Sequence, residues 1–246
     1  MLKKFTLVAF GLILFTTTFA QGRIEGYLTP GIGYRQLSTS STLLKDSFSN
    51  ADKWRQNWSG GIKYLISLDK YTKIQVGLEY KGRSFTRVRS GLKFHDTIHP
   101  EVGWLKDLSQ TTNEKNAYYH MKYRYISIPV IFQKVYSRKL FMNKMYFEFA
   151  SGVEFDLRYA DKMAIFLKGF SVDGNNTFKV SNYYKPDLFN VSLNIGSRME
   201  YKLSERSDFS VQPNFTFPLL VSAKDDFTKI RLWQMGVAVG VNYMLK

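Results

Sequence analysis

Cysteine is absent from the chain of 246 residues, and only three histidines occur in it. Disulfides, thiolate metal sites, cysteine nucleophiles and a lipidated N-terminal cysteine are therefore excluded. Apolar runs long enough for a spanning helix are also missing after the N-terminus, which argues against a helical membrane protein. A β-barrel stays open, because the strands of a barrel alternate in polarity instead of running apolar.

The N-terminus has the pattern of an export leader. Lys3 and Lys4 precede an apolar segment, Phe5–Phe15, and small residues follow at an acceptable cleavage site. A membrane anchor would need a longer apolar span. We therefore predict a signal peptide over residues 1–20, an exported protein, and one domain over residues 21–246.

The chain is strongly basic, with a formal net charge of +15. Its lysines and arginines are spread along the chain with no dense tract. This distribution favours solubility and attraction to anionic lipid head groups over nucleic-acid binding. Aromatic residues make up 16% of the chain, which suits rings placed at a membrane–water boundary. Outer-membrane lipids are therefore expected partners, and nucleic acid is not.

Strict alternation of large apolar and polar residues runs through Met145–Tyr159. A period of two indicates an extended strand with two chemically different faces. Similar segments recur at about Gly22–Leu37, Trp58–Leu68, Tyr71–Phe85, Tyr118–Gln133, Pro186–Tyr201, Ser207–Leu220 and Thr228–Leu245. With connections that alternate between long and short, they predict an all-β, antiparallel up-and-down transmembrane barrel of about eight strands. Ten strands are the alternative, in which Met163–Phe170 and Thr177–Tyr184 also span.

Alternation alone does not say which face is inside, since a soluble lipocalin-like barrel has the same period with its apolar face inward. The apolar face here is uniformly large, whereas the polar face mixes charges with small residues that fit a narrow lumen. We therefore predict a polar interior, filled by a network of ion pairs that fixes strand register. A narrow ion or proton path is the functional alternative. The predicted lumen set is Lys63, Lys73, Glu79, Lys81, Arg83, Glu148, Glu154, Asp156, Arg198 and Glu200.

Long loops are placed outside the cell and short turns in the periplasm, as is usual for such barrels. Aromatic residues in phase with the apolar face then fall near the two membrane levels. The predicted outer girdle is Tyr34, Trp58, Tyr80, Tyr159 and Trp233, and the periplasmic girdle is Phe132, Phe147, Tyr201, Phe209 and Tyr243.

Three local irregularities are also expected. Pro30 cannot donate a ladder hydrogen bond, so a bulge or local break is predicted in the first strand. Lys122 and Arg124 share a face with apolar residues of the fourth strand, which indicates either an end that protrudes beyond the membrane or a phase shift at a bulge. Residues 160–185 form a long connection that contains a predicted hairpin.

Catalytic and metal-binding patterns are weak. His95 and His99 are four residues apart, but no helical pattern accompanies them, so an exposed loop is favoured over a metal site. His120 is a candidate base, although Lys122 stands where lipid A deacylase barrels carry a serine. Glu148 and Glu154 are too far apart along a strand for a carboxylate pair. No catalytic residue, metal or cofactor is therefore expected.

Four short motifs carry a family resemblance. They are LEYKGRSF (Leu78–Phe85), YRYISIPVIFQ (Tyr123–Gln133), GVEFDLRY (Gly152–Tyr159) and NIGSRMEYKLSE (Asn194–Glu205). The chain resembles the PorT-like outer-membrane β-barrel family of Bacteroidetes over most of residues 21–246. Ser127 stands where an acid is common in that family. The resemblance implies an outer-membrane barrel without catalytic residues, and one family member is tied to the gliding-associated type IX secretion route.

The last strand suggests a partner. Gly240, Tyr243 and Leu245 resemble the insertion signal that barrel-assembly machinery recognises, although Lys246 replaces a final aromatic residue. The sequence thus predicts a non-enzymatic barrel whose long loops bind a ligand at the cell surface or a protein partner in an envelope complex. The alternatives are a lipid-modifying enzyme that uses His120, and a narrow ten-stranded channel.

Overall fold

The computed structural model describes residues 22–39, 52–90, 98–99, 103–104, 106–107, 116–140, 145–168, 170–171, 177–180, 187–221, 223–224 and 228–245. The predicted signal peptide lies outside the described residues. No helix in these ranges is long and apolar enough to cross a membrane.

Eight long strands form a closed antiparallel ring in which each strand pairs with its neighbours in sequence. They are β1 (Gly22–Thr39), β2 (Asp52–Ser67), β3 (Thr72–Arg89), β4 (Asn116–Leu140), β5 (Met145–Lys168), β6 (Phe189–Lys202), β7 (Ser207–Pro218) and β8 (Thr228–Met244). The ring closes between β1 and β8, from Arg23 opposite Met244 to Thr39 opposite Thr228. The predicted eight-stranded up-and-down barrel is therefore confirmed.

Polar side chains point into the ring and apolar ones point out of it. Leu28 and Ile62 are each 63% exposed and Leu78 is 60% exposed, whereas Gln133 and Asp156 are 0% exposed. In water the outer face would cost about 25 cal/mol for each Å² of exposed apolar surface, so this face requires lipid. The inside-out arrangement is that of a transmembrane barrel, and the soluble lipocalin-like alternative is wrong.

The ten-stranded alternative is also wrong. β5 runs on to Lys168, and Thr177–Val180 folds back on it as the predicted hairpin, with Val180 opposite Met163. β6 pairs directly with β5 over Phe189–Lys202, so within the described residues the hairpin adds no strand to the ring. The hairpin only extends the sheet along the part of β5 that continues beyond its pairing with β6.

A bulge explains why β5 is longer than its alternation predicts. Arg124 lies opposite Ala160 and Tyr125 opposite Arg158, which leaves Tyr159 as an extra residue on β5. An extra residue reverses the phase of a strand. Thus the even-numbered Asp156 is buried before the bulge, and the odd-numbered Met163 is buried after it. Lys122 and Arg124 themselves remain in phase and exposed, beyond the apolar part of β4.

The other irregularities follow from single positions. The ladder between β1 and β8 skips Thr29 and Pro30 without a change of register, which is the predicted local break. Residues 52–57 were predicted as loop but belong to β2, because a register shift between Trp54 and Ser59 interrupts the alternation there.

The two ends of the barrel differ. The end that carries the short turns, here called the turn end, includes Leu68–Tyr71, residues 203–206 and both Gly22 and Met244. In one of these turns the Asp69 carboxylate accepts backbone N–H groups of Tyr71 (2.5 Å) and Thr72 (2.8 Å), and these bonds hold the pKa of Asp69 below its usual range. The opposite end, here called the loop end, carries the long connections.

Candidate functional site

The lumen is filled by two clusters of charged side chains. The first, near the turn end, is built around Arg198, which is 1% exposed. Arg198 donates to Glu25 and to Glu200, each at 2.9 Å, and to Asn242 at 3.1 Å. Lys73 joins the same cluster through Glu148 (2.5 Å) and Glu200 (2.9 Å). Side chains of five strands, β1, β3, β5, β6 and β8, are thereby tied together.

The second cluster lies at the middle of the lumen. Arg83 donates to Asp156 at 2.6 Å, and Lys81 pairs with Glu154. Glu79 lies 3.7 Å from Lys81 and completes the cluster. Hydroxyl and amide groups satisfy the remaining carboxylate oxygens: Ser192 donates to Asp156 at 2.7 Å, Asn194 donates to Glu154 at 2.7 Å, and Ser127 also donates to Asp156.

Lys63 connects the two clusters. Its ammonium group lies 3.9 Å from the centroid of the Tyr27 ring, and the charges of Glu25 and Glu79 act on it. A cation on an aromatic face is stabilised when it is removed from water. All the predicted lumen residues thus point inward: nine are buried and Lys73 is half-buried.

An apolar cluster closes the lumen towards the loop end. Phe85, Tyr123, Tyr125 and Leu232 are all buried there, at 1–3% exposure, and Met121 and Ile230 pack against them. Sequence reasoning missed this cluster, because it expected every inward position to be polar or small. The available signal was the face of β4 that alternates Met121, Tyr123 and Tyr125 opposite the apolar face.

An ion pair lies above the apolar cluster. Arg35 donates to Asp52 with Nε at 2.8 Å, and its guanidinium group stacks 4.6 Å from the centroid of the Phe85 ring. Arg87 is close enough to Arg35 and to Arg89 for its charge to interact with each of theirs. The inner surface of the loop end is therefore basic among the described residues.

The turn end is open. A cavity of about 780 Å³ lies there, and its lining includes Arg23, Lys70, Lys73, Glu148, Glu200 and Asp208. Arg23 pairs with Asp208 at its wall and lies 3.9 Å from Glu200. The cavity therefore ends on the first charged cluster and does not continue past the buried Arg198.

The predicted girdle residues lie on the outer face. Tyr34 contacts Trp233 with ring centroids 5.3 Å apart, and Tyr80 contacts Tyr159 at 6.2 Å. Trp58 is 61% exposed. Towards the turn end, Phe132, Phe147, Tyr201 and Tyr243 are exposed and Phe209 is half-buried. Two aromatic levels separated by aliphatic residues are typical of a membrane-spanning band.

His120 lies outside the lumen, beyond the outer aromatic level. Its Nδ1 is 3.0 Å from Thr86 Oγ1, and its ring stacks on Tyr118 with centroids 6.4 Å apart. Burial, followed by the charges of Arg55 and Lys122, lowers the pKa of His120. A hydroxyl therefore lies beside the imidazole, but among the described residues no carboxylate hydrogen-bonds to the ring and orients it.

No group of three or more metal-ligating residues occurs among the described residues. His95 lies outside them, and His99 belongs to a two-residue strand, Ile98–His99, that pairs with Gly103–Trp104. Glu148 and Glu154 belong to different lumen clusters, so they do not form a carboxylate pair.

No protein-family model and no curated protein matches the chain. Several solved structures resemble it in fold. The solid-state NMR structure of outer membrane protein AlkL in DMPC bilayers is 11% identical, has a TM-score of 0.39, and covers 93% of this chain and 92% of its own. Neisserial surface protein A is 9% identical, with a TM-score of 0.37 and coverages of 89% and 96%. Outer membrane protease OmpT from Escherichia coli is 8% identical, with a TM-score of 0.36 and coverages of 92% and 96%.

At these identities and TM-scores the resemblances carry no argument about function. The barrel is established by its own strand pairing, and the PorT-like resemblance stays a prediction.

Proposed function

We propose that this protein is a non-enzymatic barrel of the outer membrane whose lumen is closed and whose loop end binds a ligand at the cell surface or a partner in an envelope complex. The placement in an outer membrane rests on two features: an apolar outer face between two aromatic levels, and the export leader predicted at residues 1–20.

The packed lumen is the observation that carries the proposal. Arg198 and Tyr125 are 1% exposed and Gln75 is 0% exposed, although all three point into the lumen. In a water-filled channel such inward side chains would be exposed to solvent. An eight-stranded ring has just enough interior for packed side chains, and here the side chains take that space. The protein therefore acts through its ends and its outer face, and not by conducting solutes.

Conductance across a planar bilayer tests the closed lumen. The purified barrel is expected to give no steady single-channel steps. Steady steps of uniform size would contradict the proposal and favour a pore. A porin of known conductance, incorporated under the same conditions, is the positive control.

A protein partner is the finer part of the proposal. The long connections supply the surface for it, and the family resemblance favours an envelope complex, including a secretion-associated one. Crosslinking in native envelopes followed by affinity purification of the barrel should recover the same partner repeatedly. Replacing residues 91–97 by a short Gly-Ser linker should abolish that recovery if the second long loop contributes.

A lipid-modifying enzyme is the second candidate, and the contact between Thr86 and His120 favours it. The hydroxyl and the imidazole are 3.0 Å apart on the outer face, where a lipid could reach them. Mass spectrometry of lipid A from cells that carry His120→Ala separates the two proposals. An unchanged lipid A profile is expected, whereas an acyl or headgroup change that is lost in the variant would establish the enzyme.

A further inference from the structure

Four exposed cations lie on the outer face just beyond the outer aromatic level. They are Lys53 on β2, Lys122 and Arg124 on β4, and Lys162 on β5, here called the outer basic patch. Lys122 lies directly opposite Lys162 in the ladder between β4 and β5. Like charges that face one another across a sheet destabilise it, so an anion bound between these two lysines would stabilise the ladder.

The carboxylates next to the patch in the sequence do not neutralise it. Asp52 and Asp161 precede Lys53 and Lys162 in the sequence, and by alternation each lies on the opposite face of its strand. Asp52 is held by Arg35 at 2.8 Å, and Asp161 pairs with Arg158. Neither of these two carboxylates therefore lies on the outward face beside the four cations.

The position of the patch indicates the source of the anion. Arg124 lies beside the hydroxyl of Tyr159, whose ring contacts Tyr80 with centroids 6.2 Å apart. Exposed tyrosines of this kind sit at the level of lipid head groups. The ladder places Arg124 opposite Ala160, one residue beyond Tyr159, and Lys162 is three residues beyond Tyr159 on β5. These cations therefore lie at the level of lipid phosphates. Lys122 and Arg124 are about 7 Å apart along β4, and Lys162 is about 5 Å across from Lys122.

We propose that the outer basic patch binds the phosphate groups of an anionic glycolipid of the outer leaflet, that is, of the lipid A type. Lysine and arginine bind phosphate through charge-assisted hydrogen bonds, and three such side chains start from neighbouring positions on β4 and β5, within the reach of one head group. The glycolipid would screen the repulsion between Lys122 and Lys162 and would fix the depth of the barrel in the membrane. This inference rests on the placement in an outer membrane that the proposed function makes.

Binding of lipid A to the purified protein tests the site. The patch variant is Lys122→Gln, Arg124→Gln and Lys162→Gln. The matched control is Lys70→Gln, Lys134→Gln and Lys202→Gln, which removes the same charge from exposed positions at the turn end. Bisphosphorylated and dephosphorylated lipid A are titrated onto detergent-solubilised protein, and bound lipid is counted by native mass spectrometry.

The unchanged barrel and the control variant are expected to bind bisphosphorylated lipid A with equal affinity. The patch variant should bind it about tenfold or more weakly, because each lost charged hydrogen bond weakens binding by about that factor. Dephosphorylated lipid A should bind all three proteins as weakly as the patch variant binds the phosphorylated form. Equal affinity of both variants for phosphorylated lipid A would overturn the proposal.

A soluble sugar bisphosphate without acyl chains is the competing occupant. If it binds the patch as tightly as lipid A does, the site belongs to a soluble anion and the lipid proposal is wrong. Membrane fractionation of cells with the unchanged barrel tests the proposed function separately. A barrel absent from the outer membrane would contradict that function, while the detergent titration would still report on the patch itself.

Discussion

Arg198 is the residue on which the charged cluster near the turn end depends. Its guanidinium group satisfies two carboxylates on different strands, Glu25 and Glu200, and is itself almost inaccessible to solvent. Removing one partner of a buried ion pair leaves the other charge uncompensated, which costs more than the pair contributes. We therefore expect Arg198→Met to lower the free energy of unfolding by roughly 3–5 kcal/mol.

Urea unfolding of the barrel in lipid vesicles, followed by tryptophan fluorescence, measures this loss. Adding Glu25→Gln to Arg198→Met should restore part of the stability, because it removes one of the carboxylate charges that Arg198→Met leaves without a partner. Lys202→Met is the control, since Lys202 is exposed in the same end of the barrel. A loss for Arg198→Met within about 0.5 kcal/mol of the control would show that the cluster does not stabilise the barrel.

Predicting these contacts from sequence succeeded for the faces and failed for the partners. Alternation places Arg198 and Glu200 on the inner face, since they are two residues apart on one strand. Alternation does not say that Glu25, far away in the chain, meets Arg198, because that contact depends on the closure of the ring and on its stagger. The inward ring of Tyr125 was missed for a different reason: inward positions were expected to be polar or small, whereas Tyr125 packs in an apolar cluster with Phe85 and Leu232.

At the scale of the strand, close approach of backbones explains some of the glycines. A Cβ added at Gly152 on β5 would lie 2.1 Å from the carbonyl oxygen of Val130 and 2.7 Å from the Cα of Ile131, both on β4. At Gly26 on β1, nothing lies within 4 Å of an added Cβ. Only glycine therefore fits at the first position without a shift of β4, whereas the second accepts a side chain.

Gly152→Val is accordingly expected to weaken the pairing of β4 with β5 and to reduce the fraction of folded barrel. The expected cost is about 1–3 kcal/mol, as for other overpacked positions. Unheated electrophoresis in SDS separates folded from unfolded barrel by mobility, and Gly26→Val serves as the matched control. Equal folded fractions in the two variants would contradict the close approach of β4 and β5 at this position.

Strand existence was predictable from the period of two, but strand ends were not. The alternation of β5 stops at Tyr159 because a bulge reverses its phase, and the strand then continues with Met163 and Ile165 inward. A reversed period is indistinguishable in sequence from the start of a loop. The same reason accounts for the missed start of β2, where the register shifts between Trp54 and Ser59.

At the scale of the whole molecule, the two ends of the barrel have different chemistry. The turn end holds an open cavity that ends on Lys73 and Glu148, whereas the loop end is capped by an apolar cluster and carries the outer basic patch. The orientation of the barrel determines whether the cavity opens to the periplasm or to the cell exterior, and in which leaflet the outer basic patch lies. Short turns lie in the periplasm in barrels of this kind, so we expect the loop end to be extracellular.

The absence of cysteine makes this orientation directly testable. Lys179→Cys places a thiol on the exposed hairpin at the loop end, and Lys70→Cys places one on an exposed turn at the opposite end. In intact cells a membrane-impermeant maleimide should label the first variant and not the second, and after lysis it should label both. The reverse pattern would put the cavity at the cell surface. It would also remove the outer basic patch from the leaflet that carries lipid A, because the lysines and Arg124 would then face the inner leaflet.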